Sequence, residues 1–297
     1  MIIVFGEVLF DVFPQYKRIG GAPFNFAFHL RRLGFPVRFV SRIGDDANGR
    51  EIRRYLEAAG LNGETVQIDP KHPTGYVSVS LNEAGVPEYS IVFDVAYDFI
   101  EMTDALEKRL QEPPSLVYFG TLAQRRSTSH QTLQRILAKK HESTYFFYDI
   151  NLRTGCYTLR TIEDALPYPG ILKLNREELT TLRQMFDYKK DETSFINHLM
   201  EKYELSLLSL TDGDRGSALI TPETRIDTPG VVADNPVDTV GAGDALAAVL
   251  SAGFLTGRPL PDTLEAATRF AADICTIPGA VPEKGSFYQD IKAFIDQ

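Results

Sequence analysis

The sequence contains little cysteine and no long hydrophobic run. Its two cysteines, Cys156 and Cys275, form no Cys-x-x-Cys pair among the 297 residues. A disulfide framework is therefore not expected, and we expect the protein in a reducing cytoplasm. No apolar stretch reaches 18 residues, and the segment Met1–Glu7 has no basic region. We therefore expect neither a membrane span nor a signal peptide.

Several motifs of common enzyme classes are also missing. The sequence has no Gly-x₄-Gly-Lys-Ser/Thr P-loop, no His-Glu-x-x-His and no Gly-x-Ser-x-Gly, and no dinucleotide-binding Gly-x-Gly-x-x-Gly follows a predicted strand. A Rossmann oxidoreductase is thereby disfavoured. The formal net charge of −9 argues against broad binding to nucleic acid or to anionic membranes. A small anionic ligand remains compatible, because backbone N–H groups can hold it.

Short apolar runs alternate with helix-spaced apolar residues along most of the chain. This alternation predicts an α/β fold with a mostly parallel sheet covered by helices. The first predicted elements are strands at 2–5 and 37–40 and helices at about 24–33 and 49–59. Later strands are predicted at 116–119, 145–148, 171–174, 205–210 and 217–220, and later helices at 129–140, 176–185, 192–202, 243–255 and 260–275. No repeat or linker appears, so residues 1–297 are expected to form one domain.

The middle of the chain has a different pattern. Residues 74–81 alternate with period two, 82–85 read as a turn, and 86–93 are extended again. Two such strands joined by a turn indicate a hairpin with one polar face. A hairpin inside an α/β chain is a candidate lid, which we place at about 74–99.

The segment Asp238-Thr-Val-Gly-Ala-Gly-Asp244 precedes an apolar run long enough for a buried helix. Its glycines allow a sharp turn close to a ligand, and the first helical turn supplies unpaired N–H groups for an anion. A carboxylate at Asp244 would not bind phosphate. It is placed to accept a proton from a hydroxyl that attacks the phosphate. A glycine-rich turn with an N-cap aspartate is the alternative interpretation.

Two further segments are candidate substrate contacts. Gly20-Gly-Ala-Pro-Phe-Asn25 precedes a predicted helix, where its glycines allow close backbone approach and Asn25 offers a donor and an acceptor. Asp11 follows the first strand, where ligands bind in open α/β sheets, and its carboxylate suits sugar hydroxyls. An ordinary loop and a solvated acid are the respective alternatives.

Two segments are candidate metal and nucleotide contacts. Asn175-Arg-Glu-Glu178 starts a predicted helix, so Glu178 suits a water-bridged Mg²⁺ and Asn175 a phosphate. A helix N-terminus also favours acids for its dipole alone. Thr211-Asp-Gly-Asp-Arg-Gly216 joins two apolar strands and either borders a nucleotide or is only a hairpin turn.

Together these segments resemble the ribokinase, or PfkB, family of carbohydrate kinases over nearly the whole chain. Gly20–Asn25 with Gly44-Asp-Asp-Ala-Asn-Gly49 resembles the N-terminal signature, and Asp238–Asp244 resembles the C-terminal one. Gly6-Glu-Val-Leu-Phe-Asp11, Gly-Gly-Ala-Pro and Asp149-Ile-Asn-Leu-Arg153 look most like bacterial fructokinases. The remaining matching segments follow in the family's order: Asn175–Glu178, Thr211–Gly216 and Thr276-Ile-Pro-Gly-Ala280.

The resemblance implies a doubly wound α/β core with a small β lid, to which residues 10–20 also contribute. It implies transfer of the ATP γ-phosphoryl group to a sugar hydroxyl, with Mg²⁺, and the fructokinase-like segments imply fructose as that sugar. Asp244 would be the catalytic base, and the amides of Gly241, Ala242 and Gly243 would form the anion hole. The implied sugar contacts are Asp11, Gly20, Gly21, Asn25 and Arg153, and the implied nucleotide contacts are Asn175, Thr211, Gly213 and Gly216.

The resemblance also implies metal sites and leaves alternatives open. Glu178 would reach Mg²⁺ through water. A monovalent cation such as K⁺ would bind backbone carbonyls, helped by one side chain, at Asp238, Val240, Ile274, Ile277 and Gly279. Other proteins share these patterns. One alternative is a kinase for 2-keto-3-deoxygluconate, ribose or a nucleoside, and another is a non-catalytic regulator that binds a sugar or a nucleotide. Exposed edges of the lid predict a possible homodimer.

Two features border the predicted sugar site and differ from the usual family pattern. Phe24 fills a position that is often occupied by a small residue, and only eight residues separate Asp11 from Gly20. Both are expected to influence which sugar fits.

Overall fold

The computed structural model describes residues 1–61, 63–81 and 87–296. Within these ranges the strands are β1 (Ile2–Phe5), β2 (Leu9–Val12), β3 (Lys17–Gly20), β4 (Val37–Gly44), β5 (Val66–Asp69), β6 (Tyr76–Leu81), β7 (Pro87–Ile91), β8 (Leu116–Gly120), β9 (Tyr145–Asp149), β10 (Ile171–Asn175), β11 (Leu207–Thr211), β12 (Gly216–Ile220) and β13 (Arg225–Pro229). The helices are α1 (Ala22–Arg32), α2 (Ala47–Ala59), α3 (Asp104–Arg109), α4 (Ser127–Leu137), α5 (Leu159–Ala165), α6 (Arg176–Met185), α7 (Glu192–Lys202), α8 (Ala242–Thr256), α9 (Leu260–Ile274) and α10 (Gln289–Asp296).

Nine strands form the main sheet, in the order β13-β12-β11-β10-β9-β8-β1-β4-β5. The strands from β11 to β5 run parallel, and β12 and β13 are antiparallel additions at one edge. Strand β1 lies between β4 and β8, so the direction of winding reverses there. In open α/β sheets, ligands bind beyond the carboxyl ends of the strands at such a reversal. The prediction of a doubly wound, mostly parallel sheet is confirmed.

Helices cover both faces of this sheet, and alternate residues of β1 show why. Ile3 and Phe5 belong to the core cluster that packs against α3 to α7. Ile2 and Val4 belong to the other cluster, with α1, α2, α8, α9 and α10. All four side chains are buried, as expected for a parallel strand covered on both faces.

A second, four-stranded sheet has the order β3-β2-β6-β7. It combines segments that are distant in sequence, residues 9–20 with residues 76–81 and 87–91. Strand β6 begins at Tyr76 rather than at the predicted 74, because Thr74 is held by Asp46: the Thr74 amide and hydroxyl each donate to that carboxylate at 2.8 Å. The predicted turn at 82–85 lies outside the described residues.

Sequence patterns missed seven short elements: β2, β3, β5, α3, α5, β13 and α10. Helix α5 has seven residues, too few to show a repeat of apolar positions. Strand β13 lies at the sheet edge with alternately exposed residues and ends at Pro229. An edge strand can end in proline because no ladder hydrogen bond is lost on its open side.

Among the residues that the model describes, no helix combines the length and apolarity needed to cross a membrane.

Candidate active site

The N-terminus of α8 is built around a close backbone contact. Gly241 precedes the helix with φ of +82°, and a Cβ at that position would lie 2.2 Å from Cβ of Ala280. Only glycine fits this turn. Within the described chain, the amides of Gly241 and Gly243 donate to no protein acceptor, and the Ala242 amide makes one long contact of 3.4 Å to Thr239 O. Free amides at the N-terminus of a helix form an anion site.

Asp244 lies in the first turn of α8, beside these amides, and its side chain is buried. Burial, helped by the nearby charge of Asp149, raises the pKa of the Asp244 carboxyl to about 7. The hydrogen bond from Asn25 and the charges of Lys173 and Arg153 act in the opposite direction. A carboxyl with a pKa near neutrality can take up and release a proton at physiological pH, as a general base requires.

Asn25 reaches this carboxylate from the first turn of α1. Its side-chain Nδ2 donates to Oδ2 of Asp244 at 2.7 Å, and its backbone N–H donates to Gly21 O at 2.9 Å. Asn25 Oδ1 is buried and has no hydrogen-bond partner among the described residues. The predicted sugar contact therefore also orients the predicted base.

A buried ion pair that sequence reasoning missed lies beneath the anion site. Lys173 Nζ lies 2.9 and 2.8 Å from the two carboxylate oxygens of Asp149, and Tyr118 donates to Asp149 Oδ2 at 3.0 Å. Lys173 and Asp149 are register partners on β10 and β9. A Cβ at Gly243 would lie 3.4 Å from Lys173 Nζ, so the ammonium group packs directly under the helix start. A single lysine within an apolar strand was the available signal.

Glu7, two residues after the end of β1, is a second missed residue. Its side chain is 4% exposed, and its Oε2 has no hydrogen-bond partner in the described part of the chain. Burial raises the pKa of the Glu7 carboxyl to about 7. The Glu7 carbonyl oxygen would lie 2.7 Å from a Cβ at Gly21, so Gly21 lets the two segments meet. An acidic residue just beyond the glycine that follows a buried strand was the sequence signal.

Asp11 and Gly20 lie together on β2 and β3. A Cβ at Gly20 would lie 2.9 Å from Asp11 Oδ2, so glycine leaves room for the carboxylate. Burial raises the pKa of the Asp11 carboxyl to about 6, and the charge of Arg153 lowers it. Arg153 is exposed and acts in the same direction on the pKa values of Glu7 and Asp244. The charge of one guanidinium therefore acts on three carboxyl groups.

A family model for pfkB family carbohydrate kinases matches residues 4–284. The chain belongs to this family. A putative sugar kinase from Pyrococcus horikoshii is 29% identical over 86% of this chain and 83% of its own length. A fructokinase from Escherichia coli is also 29% identical, over 86% of this chain and 83% of its own. The crystal structure of the Pyrococcus protein with ATP superposes with a TM-score of 0.80 and 26% identity, covering 99% of this chain and all of the other. The prediction of an ATP-dependent carbohydrate kinase is confirmed.

In this carbohydrate kinase, Asn175 and Glu178 form the N-terminal cap of α6. Asn175 Oδ1 accepts from the Glu178 amide, and Glu178 Oε2 accepts from the Asn175 amide, each at 2.8 Å. Glu178 Oε1 accepts from the Leu152 amide at 2.9 Å. Each Glu178 oxygen keeps a second lone pair, which can accept from a metal-bound water. The Mg²⁺ role of Glu178 and the phosphate role of Asn175 stay predictions.

Thr211 to Gly216 form the turn between antiparallel strands β11 and β12. The turn is fastened to the start of α6, where Arg176 Nε donates to Asp212 Oδ2 at 2.6 Å. Gly216 has φ of +116°, and a Cβ there would lie 2.1 Å from Thr228 O. The hairpin geometry explains these residues without a ligand, and the nucleotide contacts at Thr211, Gly213 and Gly216 stay predictions.

The residues predicted to hold a monovalent cation come together where α9 ends. The amides of Val237 and Asp238 donate to Cys275 O at 2.8 and 3.3 Å, which fastens the loop before α8 to the end of α9. The Gly279 amide donates to Asp238 Oδ2 at 3.3 Å, and the Ile274 carbonyl already accepts from the Ile277 amide at 3.2 Å. Within the described residues, no cluster of three or more His, Cys, Asp or Glu side chains could hold a metal ion.

Proposed function

We propose that this kinase phosphorylates fructose, with Asp244 as the base that takes the proton of the attacking hydroxyl. The observation that carries the proposal is the position of Asp244. A buried carboxylate with a pKa near 7 lies in the same helical turn as free backbone amides. A base and an anion site so close together suit transfer of a phosphoryl group to a hydroxyl.

In the proposed reaction, the sugar hydroxyl gives its proton to the Asp244 carboxylate as its oxygen bonds to the γ-phosphorus of ATP. The bond from that phosphorus to the bridging oxygen of ADP breaks, and the products are ADP and a sugar phosphate. The amides of Gly241, Ala242 and Gly243 stabilise negative charge on the group in transfer. Asn25 keeps the carboxylate oriented throughout. The Lys173–Asp149 pair packs against Gly243 and supports the start of α8.

Magnesium is proposed with ATP, because Mg²⁺ binds phosphates and retains several waters. When bound, it neutralises charge on the phosphates. Glu178 is the carboxylate that we propose to reach it through water. Its two oxygens face the Leu152 and Asn175 amides, which fix its position.

A neutral sugar is supported by the charges around Arg153. Its guanidinium lies near the carboxyl groups of Glu7, Asp11 and Asp244. With two or more of these ionised, the sugar side carries no net positive charge to attract the carboxylate of a sugar acid. Hydroxyl groups can donate to Asp11 instead. The likeness to the Escherichia coli fructokinase favours fructose among neutral sugars.

A panel of acceptors tests the choice of sugar. Fructose, ribose, 2-keto-3-deoxygluconate and adenosine are compared as acceptors by ADP release at equal MgATP. We expect kcat/KM for fructose to exceed that for each other acceptor at least tenfold. A higher value for 2-keto-3-deoxygluconate would replace the proposal and give Arg153 the role of a carboxylate contact. Acceptor binding without ADP release would support the regulator alternative.

A homodimer and a cytoplasmic location are also proposed. Strands β3 and β7 form the two edges of the small sheet, and an open edge supports pairing with a second copy. Light scattering would measure the mass in solution, and the mass of a monomer would contradict the proposed dimer.

Cys156 and Cys275 are both free thiols, which supports a location in a reducing cytoplasm.

A further inference from the structure

An arginine of the small sheet reaches the loop in front of the anion site. Arg18 Nη1 on β3 lies 3.1 Å from Asp238 Oδ2, although 220 positions separate them in sequence. Both side chains are partly exposed, at 34% and 22%. An ion pair this accessible contributes little to stability. Its position matters more, because Asp238 begins the segment that ends at Asp244.

Neighbouring groups hold the Arg18 side chain in place. Its guanidinium carbon lies 4.8 Å from the ring centre of Tyr16, a cation–π distance. A Cβ at Gly279 would lie 3.4 Å from Arg18 Cδ, so the aliphatic part packs on the loop after α9. Arg18 is also the register partner of Asp11 across β2 and β3, which places both side chains on one face of the sheet. The guanidinium thus lies between the proposed sugar contact and the anion-site loop.

The same contacts decide whether the predicted cation site suits K⁺. Among the five residues predicted to hold the cation, Asp238 supplies the one carboxylate. Its Oδ1 accepts from the Val240 amide at 3.0 Å, and its Oδ2 accepts from Arg18 and from the Gly279 amide. A guanidinium keeps its positive charge at every physiological pH. A monovalent cation on this carboxylate would lie beside that fixed charge, so the residues present do not fit it.

We propose that Arg18 is a positioning residue that supplies the positive charge at Asp238, so that catalysis by this kinase needs no monovalent cation. By holding Asp238, Arg18 fixes the loop that carries the Gly241 and Gly243 amides. Because Arg18 sits opposite Asp11, a sugar bound on the small sheet is also coupled to that loop. The inference rests on the proposed anion site but not on the choice of fructose.

Activity without alkali-metal ions tests the proposal directly. ADP release is measured with Mg²⁺ and the Tris salt of ATP, in tetramethylammonium chloride or in KCl at equal ionic strength, with whichever acceptor the panel ranks first. We expect kcat of the parent protein to differ less than twofold between the salts. Activation by K⁺ of tenfold or more would overturn the proposal. A different preferred acceptor would change the proposed function alone.

Variants of adjacent residues test the role of Arg18. We expect Arg18→Gln to lower kcat at least tenfold in tetramethylammonium chloride, and Arg18→Lys to restore most of it. Lys17→Gln is the matched control, because Lys17 contacts Asn48 and Glu51 instead of Asp238. Its kcat should stay within twofold of the parent. Thermal melting should be alike in all three variants, as expected for a partly exposed pair. Equal kcat in Arg18→Gln and Lys17→Gln would contradict the proposal.

Discussion

The side-chain amide of Asn25 donates to the carboxylate of Asp244 at 2.7 Å, across 219 positions of sequence. This hydrogen bond joins the first turns of α1 and α8. It lowers the pKa of Asp244, against the larger effect of burial. The two signature segments of the chain thus meet in one pair of atoms, and the protonation of Asp244 depends on both.

Removing Asn25 should change the pH dependence of activity. A base works when deprotonated, so kcat/KM of the parent should rise with pH through an apparent pKa of about 7. Asn25→Ala removes a bond that favours the charged form, so we expect this acid limb to move to higher pH. A pH series of kcat/KM would measure the shift. Asn197→Ala, on the exposed face of α7, is the control. An unmoved acid limb in Asn25→Ala would contradict the assignment.

Glu7 should make stability depend on pH. Its pKa is raised from 4.5 to about 7 in the folded protein. The stability that the protonated form contributes is complete below about pH 4.5 and is lost as pH rises through about 7. Glu7→Gln keeps a neutral side chain at every pH. We expect it to raise the free energy of unfolding at pH 8 by about 3 kcal/mol, with little gain at pH 4.

Urea denaturation at both pH values would measure this difference. Glu177→Gln on the exposed surface of α6 is the control and should show no pH-dependent gain. An equal effect of Glu7→Gln at pH 4 and pH 8 would show that ionisation of Glu7 does not limit stability.

The buried pair of Lys173 and Asp149 should respond as a unit. Replacing one partner leaves an unpaired buried charge, which typically costs about 3–5 kcal/mol. We therefore expect Lys173→Met to destabilise strongly, and Lys173→Met with Asp149→Leu to destabilise less than the sum of the single changes. A double-mutant cycle by chemical denaturation would measure the coupling. Additive effects would mean that the two groups act independently.

The sequence predicted the elements whose signals are local. Helix α7 was predicted with its observed bounds, Glu192–Lys202, because apolar residues repeat along a full-length helix. The carboxylate at Asp244 was predicted as a base because glycines before a buried helix are recognisable as a motif, and the structure places it buried in the first turn of α8. Short elements such as α5 and β13 were missed, since seven and five residues leave too little pattern.

Contacts between distant segments could not be predicted in this way. The Lys173–Asp149 pair depends on β9 and β10 being neighbours in the sheet, and either residue alone looks unremarkable. Arg18 resembles any polar strand residue until β3 is placed beside the loop of Asp238. For Asn175 and Glu178, the same residues suit a capping box and a metal site, so sequence alone could not separate the two interpretations.

Asp244→Asn gives the most direct test of the central claim that Asp244 is the base of a sugar kinase. The measurement is sugar-dependent ADP release, with MgATP binding followed by calorimetry and folding by circular dichroism. Asp262→Asn, an exposed acid in the first turn of α9, is the matched control. We predict that Asp244→Asn lowers kcat by about 10²-fold or more while MgATP binding and folding persist. Turnover of Asp244→Asn equal to that of Asp262→Asn would contradict the account.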